Sequence, residues 1–207
     1  MKRASWWCWG GAAVALLLFF RLTRELLEGE VNATDRGILQ GVIGQRKPWL
    51  TIAAMDVTAL GSITLVILFT ALALVILLLL RDRWGALQLL AASVGAAVLT
   101  LVTKNLVERA RPDQAAPLIV ADGFSYPSGH SVEAAALYLT IALIAARHIR
   151  HASVRMVVWT AAPLLLLLVA ASRVYLGVHY ASDAASGISL GVAWALALQG
   201  LITTVRR

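Results

Sequence analysis

Residues 59–80 read A-L-G-S-I-T-L-V-I-L-F-T-A-L-A-L-V-I-L-L-L-L, with no charged side chain anywhere in the run. A helix rises about 1.5 Å per residue, so about 20 such residues cross the hydrocarbon core of a bilayer. No water is available there, and a spanning backbone must satisfy its own hydrogen bonds, which a helix does. The stretch is therefore a transmembrane helix, and the neighbouring sequence repeats the pattern. Uncharged or nearly uncharged runs occur at Ala4 to Phe20, Trp84 to Thr103, Ser131 to Ala146, Met156 to Ser172 and Ala184 to Val205. The first, fourth and fifth of the six are short and borrow flanking residues. The predicted fold is all-α: a polytopic membrane protein of six transmembrane helices, with residues 1–207 forming one membrane-embedded domain.

Composition agrees. Of 207 residues, 60% are hydrophobic and only 14% charged, with a mean hydropathy of +0.80, which excludes an ordinary soluble domain. The net charge of +7 would suggest nucleic acid in a soluble protein; here it reflects basic loops and an anion site, and no nucleic-acid partner is expected. The single cysteine, Cys8, excludes an intramolecular disulfide and a cysteine-rich metal site. Met1-Lys2-Arg3 followed by an apolar run resembles a signal peptide. The run continues into Arg21-Leu22-Thr23-Arg24-Glu25 with no small-residue cleavage pattern, so it reads as a retained span.

Orientation rests on basic residues. With the N-terminus cytoplasmic, Lys2, Arg3, Arg81, Arg83, Arg147, Arg150, Arg155, Arg206 and Arg207 fall inside, in short loops and tails. As many fall outside, but Lys104, Arg111 and Arg173 are better explained as site residues, and the first external segment is long, where the rule is weak. N-in and C-in is favoured. Trp6, Trp7, Trp9, Trp84 and Trp159 lie near the cytoplasmic ends of spans, as an interfacial aromatic belt does. Between the first two spans, Arg24 to Asp56 is mixed in charge. Thr34-Asp35 suits the cap of a short amphipathic helix carrying Ile38, Leu39, Val42 and Ile43 on one side, broken by Pro48. It serves as a connector on the outer interface, or as a lid.

The remaining polar residues form three groups that alternating topology brings to one membrane face. Lys104 and Arg111-Pro112 leave the third span, Pro127-Ser128-Gly129-His130 opens the fourth, and Arg173 closes the fifth while His179 to Asp183 opens the sixth. Singly, each has a plain explanation: snorkelling cations, a helix cap, an incidental histidine. Together they assemble three cations, two histidines, a serine and an aspartate at one interface. His179 and Asp183 are four apart, one helical turn, so the carboxylate accepts from one imidazole nitrogen and frees the other. The Ser-Gly-His helix start offers backbone N–H groups to an anion. Glu133, inside the fourth span, is costly in lipid and should face protein or water. Glu108, Arg109, Asp113 and Asp122 read as loop charge.

This set suits phosphoryl transfer: cations neutralise the equatorial oxygens, His179 attacks phosphorus and His130 protonates the leaving oxygen. No cofactor is required and no cluster has metal-ligand spacing.

K-x6-R-P (Lys104 to Pro112), P-S-G-H (Pro127 to His130) and S-R-x5-H-x3-D (Ser172 to Asp183) resemble the three signature motifs of the type-2 phosphatidic acid phosphatase superfamily, in order and without substitution. The six-span pattern is similar to its membrane branch. The resemblance implies phosphate binding by Lys104, Arg111, Ser128, Gly129 and Arg173, acid catalysis by His130, and a nucleophilic His179 with Asp183 behind it. Arg46 to Ser62 is similar, more weakly, to short bacterial members acting on phosphatidylglycerol phosphate or undecaprenyl pyrophosphate. The expectation is a lipid phosphatase in the bacterial inner membrane, its site at the outer face, its partners the lipid substrate and the bilayer. A phosphatase or phosphotransferase for lipid A or another saccharide phosphate is the alternative enzyme; a transporter and a non-catalytic lipid-phosphate binder are the alternatives of other classes.

Overall fold

A computed structural model describes residues 3–113 and 116–206. Among them are eight helices and no strand: α1 (Arg3–Leu27), α2 (Asn32–Ile43), α3 (Pro48–Ala59), α4 (Ile63–Leu79), α5 (Arg83–Val107), α6 (Gly129–His148), α7 (Ala152–Tyr175) and α8 (Ala181–Val205). Lys2 and Arg207, both used in the orientation count, lie outside the described residues. Five helices, α1, α5, α6, α7 and α8, are long and apolar enough to cross a membrane, and α3 with α4 makes a sixth if the pair is one span. The short runs do borrow their flanks, α6 and α7 each gaining residues at both ends.

The opening stretch is where sequence and structure part. The run from Ala59 to Leu80 does not form one straight helix: α3 and α4 are bent by 49° across residues 60–62. Turn bonds from Gly61 N to Thr58 O (3.0 Å) and Ser62 N to Ala59 O (2.9 Å) end α3, and the Ser62 hydroxyl then caps α4 through Leu65 N (3.4 Å). Gly61 permits the turn to press inward, because a Cβ there would meet Val169 at 2.6 Å and His130 at 3.0 Å. Tyr138 donates to Leu60 O at 2.7 Å and ties the turn to α6. Hydropathy averages over such a break. Pro48 likewise does not merely end the interfacial helix. It occupies the first position of α3, where its missing N–H costs nothing.

α6 is the axis of the bundle. Residues 131–138 are all buried, while α4 presents Ile63, Ile67, Leu72, Ile76 and Leu79 outward, each more than half exposed, as a lipid-facing helix does. α8 lies against α6 almost backbone to backbone. A Cβ at Gly191 would sit 2.5 Å from Val132 O and 2.7 Å from the Ala135 Cβ, and one at Gly187 2.7 Å from Ser128 O. Small residues at such a crossing give the close van der Waals contact on which helix association in lipid depends. The end of the bundle away from the motifs is closed by polar pairs: His148 Nε2 lies 3.0 Å from Asp82, Arg147 donates to Gln88 at 2.8 Å, and Gln88 donates to Gln199 at 2.9 Å.

Gly191→Ala should lower the thermal unfolding midpoint in detergent, with a loss of about 1–3 kcal/mol from overpacking against fixed backbone. Gly41→Ala on α2, where nothing lies within 4 Å of the new methyl, should leave the midpoint unchanged or raise it slightly.

Candidate active site

All three polar groups arrive at one end of the bundle, where α5 and α7 finish and α6 and α8 begin. α5 ends because Glu108 turns left-handed (φ 49°), and the following loop returns Lys104 and Arg111 to the same neighbourhood. Lys104 Nζ donates to Phe124 O. Arg111 ties the loop down by donating to Gly123 O (3.0 Å) and Asp122 O (2.7 Å). It also reaches across to Val178 O (2.7 Å). These two cations are not snorkelling anchors.

The P-S-G-H turn contains a cis Tyr126–Pro127 bond and leads into α6. Ser128 takes the N-cap position without a side-chain capping bond. Its N–H donates to Asp183 O at 3.0 Å and its hydroxyl accepts from Ser131 at 3.0 Å. Gly129 stands against α5, where a Cβ would lie 3.3 Å from Thr100. His130 follows in the first turn of α6, within electrostatic reach of Arg173, His179, Arg111 and Lys104. Arg173, in the last turn of α7, is buried and donates to Thr58 at 2.9 Å. Its Nε is buried without a protein hydrogen-bond partner.

His179 sits in the short connection between α7 and α8 and is 2% exposed. Its Nδ1 lies 3.6 Å from Asp183 Oδ2, near but not within hydrogen-bond distance. Its Nε2 lies 3.3 Å from Arg111 Nη1. One nitrogen thus faces a carboxylate and the other faces the cations. Burial, the largest influence, pushes the imidazole pKa down to about 4, with Asp183 opposing the shift and Arg173 and Arg111 adding to it. Such a shift favours the neutral ring at pH 7, and with its N–H turned to Asp183 the Nε2 lone pair lies on the side of Arg111.

Asp183 is fully buried and its carboxylate is crowded with donors. It accepts from Arg109 Nη1 (2.6 Å), from Tyr180 N (2.9 Å) and from the Ser125 hydroxyl. Arg109 is therefore not loop charge. Its other branch donates to Asp35 Oδ2 at 2.8 Å, its Nη1 also donates to Ser182 at 2.8 Å, and its guanidinium lies 4.1 Å from the centre of the Tyr180 ring. Burial alone would lower its pKa most, but the charge of Asp183 and bonds to Asp35 and Asp183 outweigh it and hold the pKa above the ordinary value. Glu108, Asp113 and Asp122 place no side chain in a bonded role among the described residues.

Asp35 was expected to cap the interfacial helix. Instead α2 starts at Asn32 behind an uncapped Val31, and Asp35 is buried in its first turn. It accepts from Ser182 N at 2.9 Å and from the Ser182 hydroxyl. The signal was present: Asp35 precedes Ile38, Leu39 and Val42 by three, four and seven, so it falls on the apolar stripe itself. An acid there must find a buried partner. Thr58, Ser125 and Ser182 were also missed, each a common residue with nothing local to mark it.

A sequence model of the PAP2 superfamily matches residues 85–207. The phosphatidylglycerophosphatase B of Bacillus subtilis is 32% identical over 196 residues, which is 94% of this chain and 96% of that protein. The decaprenylphosphoryl-5-phosphoribose phosphatase of Mycobacterium tuberculosis is 37% identical over 122 residues, 54% of this chain and 56% of that one. Among solved structures, the transmembrane PAP2-type phosphatidylglycerolphosphate phosphatase of B. subtilis superposes with a TM-score of 0.89 at 31% identity, covering 95% of this chain and 98% of the other. The Aquifex aeolicus LpxE structure gives 0.63 at 20% identity, covering 79% and 93%, and shares the fold.

Because burial holds His179 neutral, its ring should titrate near pH 4. Histidine-selective NMR in detergent, assigned by loss of the signal in His179→Ala, checks this; an inflection near 6.5 would show an ordinary solvated imidazole.

Proposed function

The chain belongs to the PAP2 superfamily and is a membrane phosphatase, and on that premise we propose that it hydrolyses the terminal phosphate of a membrane lipid, phosphatidylglycerol phosphate before phosphatidate or undecaprenyl pyrophosphate. One observation carries the chemistry: His179 turns Nδ1 toward a buried carboxylate at 3.6 Å and Nε2 toward the cation-rich side at 3.3 Å from Arg111. The 32% identity to a phosphatidylglycerophosphatase over nearly the whole chain supports the choice of substrate.

In this reading Lys104, Arg111, Arg173, Ser128 and the backbone N–H at Gly129 hold the non-bridging oxygens of the phosphoryl group. His179 Nε2 attacks phosphorus as the bond from phosphorus to the lipid oxygen breaks, and Asp183 stabilises the positive charge gained by the ring. His130 gives its proton to the departing lipid alcohol. A water molecule, losing a proton to His130, then cleaves the phosphorus–nitrogen bond, releasing phosphate and restoring both histidines. Most of the rate comes from cations already fixed where charge develops.

Lipid is favoured because the site lies at helix ends, where a headgroup meets protein while its tail stays in hydrocarbon. The architecture that fits is one membrane-embedded domain of six spans, with α3 and α4 counted as one bent span and α2 lying in the outer interface. Both termini are then cytoplasmic and the site faces outward from a bacterial inner membrane, as the basic short loops favour.

Purified protein in detergent should release phosphate from phosphatidylglycerol phosphate fastest of the three lipids, with excess chelator present. His179→Ala should lose at least about 10³-fold in kcat. Release from none of the three lipids would overturn the reading.

A further inference from the structure

Asp35 lies on α2, 147 residues before its hydrogen-bond partner Ser182, yet it is 2% exposed. Its place is at the end of a buried chain of charge: Asp35, Arg109 and Asp183 alternate in sign, with contacts of 2.8 Å and 2.6 Å. The mechanism uses Asp183 but gives no work to Arg109 or Asp35. On its own, an Arg109–Asp183 pair is electrically neutral and would draw the carboxylate toward the guanidinium, weakening its hold on His179. A second carboxylate on the other branch of the same guanidinium returns the net charge of the chain to one negative. It also holds the guanidinium from behind, so that Asp183 offers Oδ1 to Arg109 and keeps Oδ2 on the side of His179.

We infer that Asp35 is a positioning residue for phosphoryl transfer: by sharing Arg109 with Asp183 it maintains the charge and aim of the carboxylate behind His179. The inference rests on the lipid-phosphatase reading, in which His179 gains positive charge only as the reaction proceeds. Asp35 then contributes to the transition state and little to ground-state binding. α2 is more than a connector, since its docking carries part of the reaction's electrostatics. Every donor on Asp35 comes from the α5–α6 loop or the start of α8, the two segments that carry Arg111 and Asp183. The outer segment is thereby built into the site.

The test compares two anions on the full-length protein in detergent, with binding read by calorimetry so that no turnover is needed. Orthovanadate adopts the five-coordinate geometry of phosphoryl transfer when a nucleophile joins it; inorganic phosphate reports ground-state binding. Asp35→Asn should weaken orthovanadate about tenfold while phosphate changes less than about twofold, and kcat on the lipid should fall by about tenfold with little change in KM. Equal weakening of both anions, or of neither, in a protein that still hydrolyses lipid would overturn the inference and leave the function standing. Selective loss of orthovanadate in a protein that hydrolyses none of the lipids would retain the inference and overturn the substrate. If Asp35→Asn does not fold, Ser182→Ala removes one donor from Asp35 without removing a charge. It should give the same selectivity at smaller size, and its absence overturns the inference.

Discussion

A carboxylate with no exposed surface has to be surrounded by donors, because an isolated buried charge costs several kcal/mol. Asp183 is such a group, and much of the motif-bearing end of the molecule is explained by what it requires. The Ser125 hydroxyl comes from the loop before α6, the Tyr180 N–H from the start of its own helix, and the Arg109 guanidinium from the loop after α5. The Arg109 side chain is only 9% exposed and gains a second anion, which α2 supplies through Asp35. One charge thus draws three chain segments together, the α5–α6 loop, the start of α8 and α2. His179, next to it, inherits a fixed orientation without a strong bond of its own.

The middle of the bundle obeys a different rule. Helices in lipid gain nothing from hydrophobic exclusion of each other, since hydrocarbon is their solvent. Contact there has to come from shape, and the glycines of α8 supply it. Gly187 and Gly191 bring α8 onto α6 until backbone touches side chain and carbonyl. The same approach seats Ser128 N within 3.0 Å of Asp183 O. Packing at the centre and geometry at the site are therefore one construction, read at two heights.

How far the sequence reveals this depends on whether a feature is local. The apolar runs are local, and they locate every long helix. The three motifs are local, and the groups they name meet at one end of the bundle. What escapes is whatever depends on a partner far along the chain. Arg109 is two residues from Arg111, yet nothing nearby says that it faces Asp35, 74 positions away. The break at residues 60–62 escapes for another reason: Gly61 and Ser62 sit in an uncharged run, and hydropathy cannot distinguish a turn sealed by Tyr138 from continuous helix. Asp35 was the legible exception, an acid on an apolar face.

The far end of the bundle, closed by Asp82, His148, Arg147, Gln88 and Gln199, has one more implication. Between it and the motifs α6 is buried from Ser131 to Tyr138, its Leu137 fully enclosed together with Leu89 and Val169 from neighbouring helices. In the proposed lipid-phosphatase reading, the phosphate therefore leaves from the end of the bundle where the site lies. On that reading the reaction is tied to one end of the bundle, the end that gathers the cations and both histidines, and the polar pairs at the opposite end take no part in it.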